Sequence, residues 1–239
     1  MAEMTAIPIV ALDVSTTQEA LALVRQLGEH CRFYKVGSEL FTAAGPAVVA
    51  AVLEQGHEVF LDLKLHDIPN TVRGAARSAA ARGASLLTVH ASGGEEMVRA
   101  AVDGAGQGCG VLGVTVLTSL DAAGLGRAWG RADVDVEAEV LRLAEVVALA
   151  GGHGVVSSGR EAASVRDRFG DRLSTLVPGI RLAEGAAHDQ SRVVTPAAAV
   201  RAGARYVVLG RAVTGAPDPV AAMQRVRREM AGSGGEEAT

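Results

Sequence analysis

Cysteine is scarce in this sequence. Cys31 and Cys109 are the only two, and they form no Cys-x-x-Cys or Cys/His ligand spacing, so neither a disulfide framework nor a metal site is expected. Aromatic residues make up 3% of the chain, which disfavours a thick aromatic core; abundant Ala and Gly favour helices packed closely on a sheet. No stretch approaches the roughly 18 uncharged apolar residues of a membrane span. The first residues, Met1 to Ile7, lack the basic segment and long apolar run of a secretory leader, so a cytoplasmic protein is expected. The formal net charge of −4, with both signs interspersed, gives no field for holding nucleic acid or an anionic membrane surface. Any bound anion must be recognised locally.

What the chain does have is a regular alternation. Short apolar runs at Ile7 to Leu12, Phe33 to Val36, Val59 to Leu63, Leu86 to Val89, Leu112 to Val116, Gly154 to Val156, Thr175 to Val177 and Tyr206 to Leu209 read as strands. Amphipathic stretches between them read as helices: Thr17 to Leu27, Pro46 to Gln55, Asn70 to Ala81, Glu95 to Ala105, Glu137 to Ala150, Glu161 to Phe169, Pro196 to Ala202 and Pro219 to Met230. Thr16 with Glu19 fits a capping box, and Gly28, Gly56, Gly83 and Gly203 stand where helices should stop. Eight strand-helix units in 239 residues predict an α/β fold with a closed parallel sheet, the (β/α)8 TIM barrel, as one domain over 1–239. The segment from Thr118 to Val136 reads as a long loop, and residues 231–239 as a flexible polar tail.

Chemistry should collect at the C-terminal ends of such strands, and polar residues do collect there. Asp13 follows the first strand, Lys35 sits late in the second, Asp62, Lys64 and Asp67 close the third, His90 ends the fourth, and Thr118 and Ser119 follow the fifth. Strand alternation puts Asp62 and Lys64 on one face and Leu61, Leu63 and Leu65 on the other. Burying such charges is costly unless they are paired, so Asp-x-Lys with Asp67 reads as a built ionic site, the plainer alternative being a structural ion pair. After the last two strands come Pro178-Gly179-Ile180-Arg181 and Gly210-Arg211, where barrels commonly hold phosphate; two arginines can supply forked, charge-assisted hydrogen bonds.

The run Asp62-Leu-Lys-Leu-His-Asp-Ile-Pro-Asn-Thr71 resembles the signature of the bacterial orotidine 5'-monophosphate decarboxylase family. Ala11-Leu12-Asp13, Tyr34-Lys35-Val36-Gly37, Val89-His90-Ala91, Val116-Leu117-Thr118-Ser119, Pro178-Gly179-Ile180-Arg181, Asp189-Gln190 and Gly210-Arg211 follow in the family's order. The resemblance implies decarboxylation of orotidine 5'-monophosphate to UMP and CO2 in de novo pyrimidine biosynthesis, without metal or cofactor. It implies a charged catalytic network of Lys35, Asp62, Lys64 and Asp67, with Lys64 stabilising and protonating a carbanion-like centre at C6. Asp13 and Lys35 would contact the ribose, Thr118 the pyrimidine, and Arg181, Gln190, Gly210 and Arg211 the phosphate. It further implies a homodimer in which Asp67, with Ile68 and Thr71, reaches into the neighbouring subunit's site. Sister enzymes share the Asp-x-Lys-x-x-Asp core, so a magnesium-dependent sugar-phosphate enzyme stays open as an alternative. A non-catalytic nucleotide-binding barrel also stays open.

Overall fold

The computed structural model describes residues 6–182 and 194–232. Eight parallel strands close into a barrel in sequence order: β1 Ile7–Ala11, β2 Phe33–Gly37, β3 Glu58–Leu65, β4 Leu86–His90, β5 Gly110–Val114, β6 Gly154–Val156, β7 Ser174–Val177 and β8 Tyr206–Leu209. Ring closure runs through β1 and β8, with Ile7 opposite Tyr206 and Val10 opposite Leu209. The helices outside are α1 Thr17–Leu27, α2 Ser38–Ala44, α3 Ala47–Leu53, α4 Pro69–Ala81, α5 Glu95–Ala105, α6 Ala122–Trp129, α7 Val136–Leu149, α8 Ala162–Phe169, α9 Pro196–Arg201, α10 Arg211–Thr214 and α11 Pro219–Ala231.

Local signals explain the boundaries. Thr16 caps α1 by accepting from the Glu19 amide at 3.2 Å while its hydroxyl donates to the Glu19 carboxylate at 2.7 Å, satisfying an amide that the helix itself leaves without a partner. Gly28, Gly56, Gly83 and Gly203 all have φ between +48° and +88°, the left-handed region in which only glycine stops a helix without a steric penalty. Pro69, Pro196 and Pro219 open α4, α9 and α11, where the missing N–H costs nothing.

Three expectations need correction. The segment 118–136 is not one long loop, because α6 forms inside it. Asp121 accepts from the Gly124 amide at 2.7 Å, Gly130 ends the helix in the left-handed conformation, and Leu125 is buried. Strand β5 starts and ends two residues earlier than its apolar run, since the Gly110 amide already bonds to the Ser85 carbonyl at 2.9 Å. The expected tail begins inside helix, with Ala231 closing α11; residues 233–239 lie outside the described residues.

The core has two compartments. One lies between the strands and the helices and takes Leu61, Val89 and Val155 from the outward faces of the barrel. The other fills the barrel itself with Ile9, Ala11, Phe33, Phe60, Leu86, Leu112, Leu176, Tyr206 and Val208. Its floor is sealed by Phe33 edge-on to Tyr206, ring centroids 6.4 Å apart, and by a 3.0 Å hydrogen bond between the Tyr206 hydroxyl and His153.

Candidate active site

Strand alternation builds the site from that inner layer. Two residues beyond Ala11, Phe33, Phe60 and Leu86 stand Asp13, Lys35, Asp62 and Thr88, so along β1 to β4 the inward position turns from apolar to polar at the mouth. The corresponding positions beyond Leu112, Leu176 and Val208 are Val114, Pro178 and Gly210. The result is a cavity of about 280 Å3 with a charged wall and an apolar wall, near the lower end of small-molecule sites.

The charged wall is a continuous chain. Asp13 Oδ1 lies 2.8 Å from Lys35 Nζ, which is 3.6 Å from Asp62 Oδ2. Lys64 Nζ then donates to both Asp62 oxygens at 2.9 Å. Lys35 and Asp62 are buried, at 9% and 8% exposure, so each is held by the opposite charge that offsets its desolvation. Burial alone would raise the Asp62 carboxyl; the ammonium groups of Lys64 and Lys35, with hydrogen bonds from Lys64 and Thr88, outweigh it and hold the group below its ordinary range. Burial, helped by the nearby charges of His66 and Lys64 and opposed by Asp62, lowers His90. Its ring lies 5.3 Å from that of His66, and it does not line the cavity.

Lys64 does not reach its place by regular strand geometry. Leu61 pairs with Leu87 and Leu65 with Val89, leaving Asp62, Leu63 and Lys64 opposite Thr88 alone. Lys64 takes φ +50°, uncommon for a residue with a side chain, and its amide bonds to the Thr88 hydroxyl at 2.9 Å. Leu63 and Leu65 still pack outward, as alternation predicts.

Of the residues singled out by sequence, Asp13, Lys35, Asp62, Lys64, Thr118, Arg181, Gly210 and Arg211 line one cavity. Asp67, Ile68 and Thr71 do not; they are exposed at the start of α4, with the Asp67 carboxylate accepting from the Ile68 amide at 2.6 Å. The Asp67 carboxylate is therefore not joined to the Asp13–Lys35–Asp62–Lys64 network. Gln190 lies outside the described residues. Two residues were missed. Thr88 has a signal in the sequence, its two-residue spacing from Leu86 on β4. Gly37 is the other: a Cβ there would lie 2.8 Å from Lys35 Nζ and 3.5 Å from Asp13 Oδ1, so the absence of a side chain makes room for the ammonium.

A model of the orotidine 5'-phosphate decarboxylase / HUMPS family matches residues 7–226. The chain is 56% identical over 216 residues to an orotidine 5'-phosphate decarboxylase of Anaeromyxobacter dehalogenans, covering 90% of this chain and 94% of that protein. It is 46% identical over 231 residues to the one from Heliobacterium modesticaldum, covering 93% and 95%. Its fold is similar to the crystal structure of orotidine 5'-phosphate decarboxylase from Lactobacillus acidophilus, with a TM-score of 0.83 and 36% identity over 94% of this chain and 99% of that one.

Proposed function

The chain belongs to the orotidine 5'-phosphate decarboxylase / HUMPS family, and we propose that it decarboxylates orotidine 5'-monophosphate to UMP and CO2 in pyrimidine biosynthesis. The observation that carries this reading is an ammonium clamped by both oxygens of one carboxylate in a cavity that also holds two arginines.

Loss of CO2 from C6 leaves an electron pair in an sp2 orbital that the ring's π system delocalises poorly. A cation fixed beside that carbon lowers the energy of the developing charge, and the same group can then deliver a proton. Lys64 takes both parts. Asp62 orients it: Coulomb attraction across about 4 Å at an effective dielectric near 20 is about 4 kcal/mol, several times thermal energy. Lys35 fixes the other side of Asp62 and, with Asp13, meets the ribose, while Thr118 meets the pyrimidine. Arg181, Arg211, Gly210 and Gln190 hold the phosphate, a remote group whose binding energy keeps the charges aligned at the reacting carbon.

Asp67, Ile68 and Thr71 serve the neighbouring subunit of a homodimer in this reading. Their exposure outside their own cavity supports it, and Ile68 is 67% exposed, a large apolar side chain for a partner to cover. Each subunit is one barrel domain, and each active site takes these three residues from the barrel beside it.

The test is decarboxylation of orotidine 5'-monophosphate by purified protein in excess EDTA. Turnover that survives the chelator is expected. Turnover that chelation abolishes and magnesium restores, or none at all, would contradict this reading and turn attention to the sugar-phosphate enzymes that share the Asp-x-Lys-x-x-Asp core.

A further inference from the structure

We infer that Thr88 is a positioning residue that locks Lys64 and Asp62 into their working arrangement through one hydroxyl. The inference deepens the decarboxylase reading and rests on it for the role of Lys64. Thr88 is fully buried, at 0% exposure. Its Oγ1 accepts from the Lys64 backbone amide at 2.9 Å and donates to Asp62 Oδ1 at 2.8 Å. A hydroxyl has one proton to give. Because a carboxylate can only accept and an amide N–H can only donate, both roles of the hydroxyl are assigned and its rotor is fixed.

The bulge explains why this matters. Three residues of β3 stand against one of β4, so the regular ladder register is broken at Lys64, and its amide, at the edge of the buried layer, bonds to a side-chain hydroxyl; a hydrogen bond of this kind contributes about 0.5–1.5 kcal/mol. The Thr88 hydroxyl supplies that bond from the single residue opposite the bulge. Lys64 is thereby held at φ +50°, a conformation that surrounding structure must enforce. The same hydroxyl fixes one oxygen of the carboxylate on which the Lys64 ammonium rests, so backbone and side chain of the lysine are referred to one atom.

Valine preserves the shape of threonine and removes the hydroxyl; serine preserves the hydroxyl and removes the methyl. Thr88→Val is expected to lower kcat by about tenfold or more with KM within about threefold, the pattern of an interaction that serves the reacting state. Thr88→Ser is expected to stay within about threefold of wild-type kcat. A Thr88→Val enzyme with wild-type kcat would overturn the inference, as would Thr88→Ser falling as far as Thr88→Val, which would assign the residue to packing. Failure of both Thr88→Val and Thr88→Ala to fold, with Thr88→Ser folded, would assign the hydroxyl to stability and overturn the positioning role.

Amide hydrogen exchange at Lys64 gives the same comparison without substrate. Protection retained in Thr88→Ser and lost in Thr88→Val supports the inference; unchanged protection in Thr88→Val overturns it. A wild-type protein that fails to decarboxylate would count against the decarboxylase reading alone and leave Thr88 to be judged on exchange.

Discussion

An alanine at position 37 would put its Cβ 2.8 Å from the ammonium nitrogen of Lys35. The atom it meets is the end of a flexible chain, so the barrel can absorb the methyl while Lys35 cannot keep its place between Asp13 and Asp62. Gly37→Ala is therefore expected to melt close to wild type yet lose about tenfold or more in kcat/KM, since misplacement of about an ångström can cost a hundredfold. Thermal melts beside steady-state kinetics check this, and unchanged kcat/KM would show that Lys35 is not fixed by that space. At this scale the charged residues were legible because charge at the end of an apolar strand demands a reason. Gly37 belongs to the Tyr34-Lys35-Val36-Gly37 motif, but the space it leaves cannot be read before the neighbouring side chains are placed. Thr88 hid for another reason, threonine being an ordinary strand former.

Among the elements, β3 and α6 depart most from expectation. Alternation put Asp62 and Lys64 on one face, and they do meet, but through a bulge that periodicity does not encode. Helix α6 is hard to read from sequence because Gly124 and Gly126 weaken helix propensity and it runs for only eight residues, Ala122–Trp129. The segment after it helps to hold it: the Arg131 amide bonds to the Gly126 carbonyl at 2.9 Å, an approach that a Cβ on Gly126 would block by lying 2.6 Å from the Arg131 carbonyl oxygen, and the Arg131 side chain pairs with Glu139 on α7. Glu139 is buried at 5% exposure and also accepts from Arg142 at 2.8 Å. Burial alone would raise its carboxyl, and the two arginines hold it below the ordinary range. Arg131→Ala is expected to lower stability by about 1–2 kcal/mol, because a buried carboxylate loses one of two partners. Chemical denaturation measures this; an unchanged midpoint would mean that Arg142 and solvent suffice. Helices α1 and α5, by contrast, have the bounds that capping and periodicity predict.

Over the whole molecule, eight apolar runs separated by amphipathic helices made the barrel legible, because parallel strands with helical crossovers leave few other closed solutions at this length. The site was legible to the extent that the barrel brings strand ends together. Asp67 is the exception, its carboxylate standing outside the Asp13–Lys35–Asp62–Lys64 chain and accepting from the Ile68 amide instead. For the proposed homodimer, mixing inactive Lys64→Ala and Asp67→Ala proteins is expected to restore activity, approaching about one quarter of wild type if subunits exchange freely and each site takes Asp67 from its partner. No recovery despite demonstrated exchange would contradict shared sites. The most direct test of the central claim, that the Lys64 ammonium fixed on Asp62 does the chemistry while the rest of the cavity binds, compares UMP binding with single-turnover decarboxylation in wild type and Lys64→Ala. Lys64→Ala is expected to keep UMP affinity within about tenfold of wild type and to lower the rate by about a thousandfold or more. A Lys64→Ala protein that decarboxylates near the wild-type rate would contradict that claim.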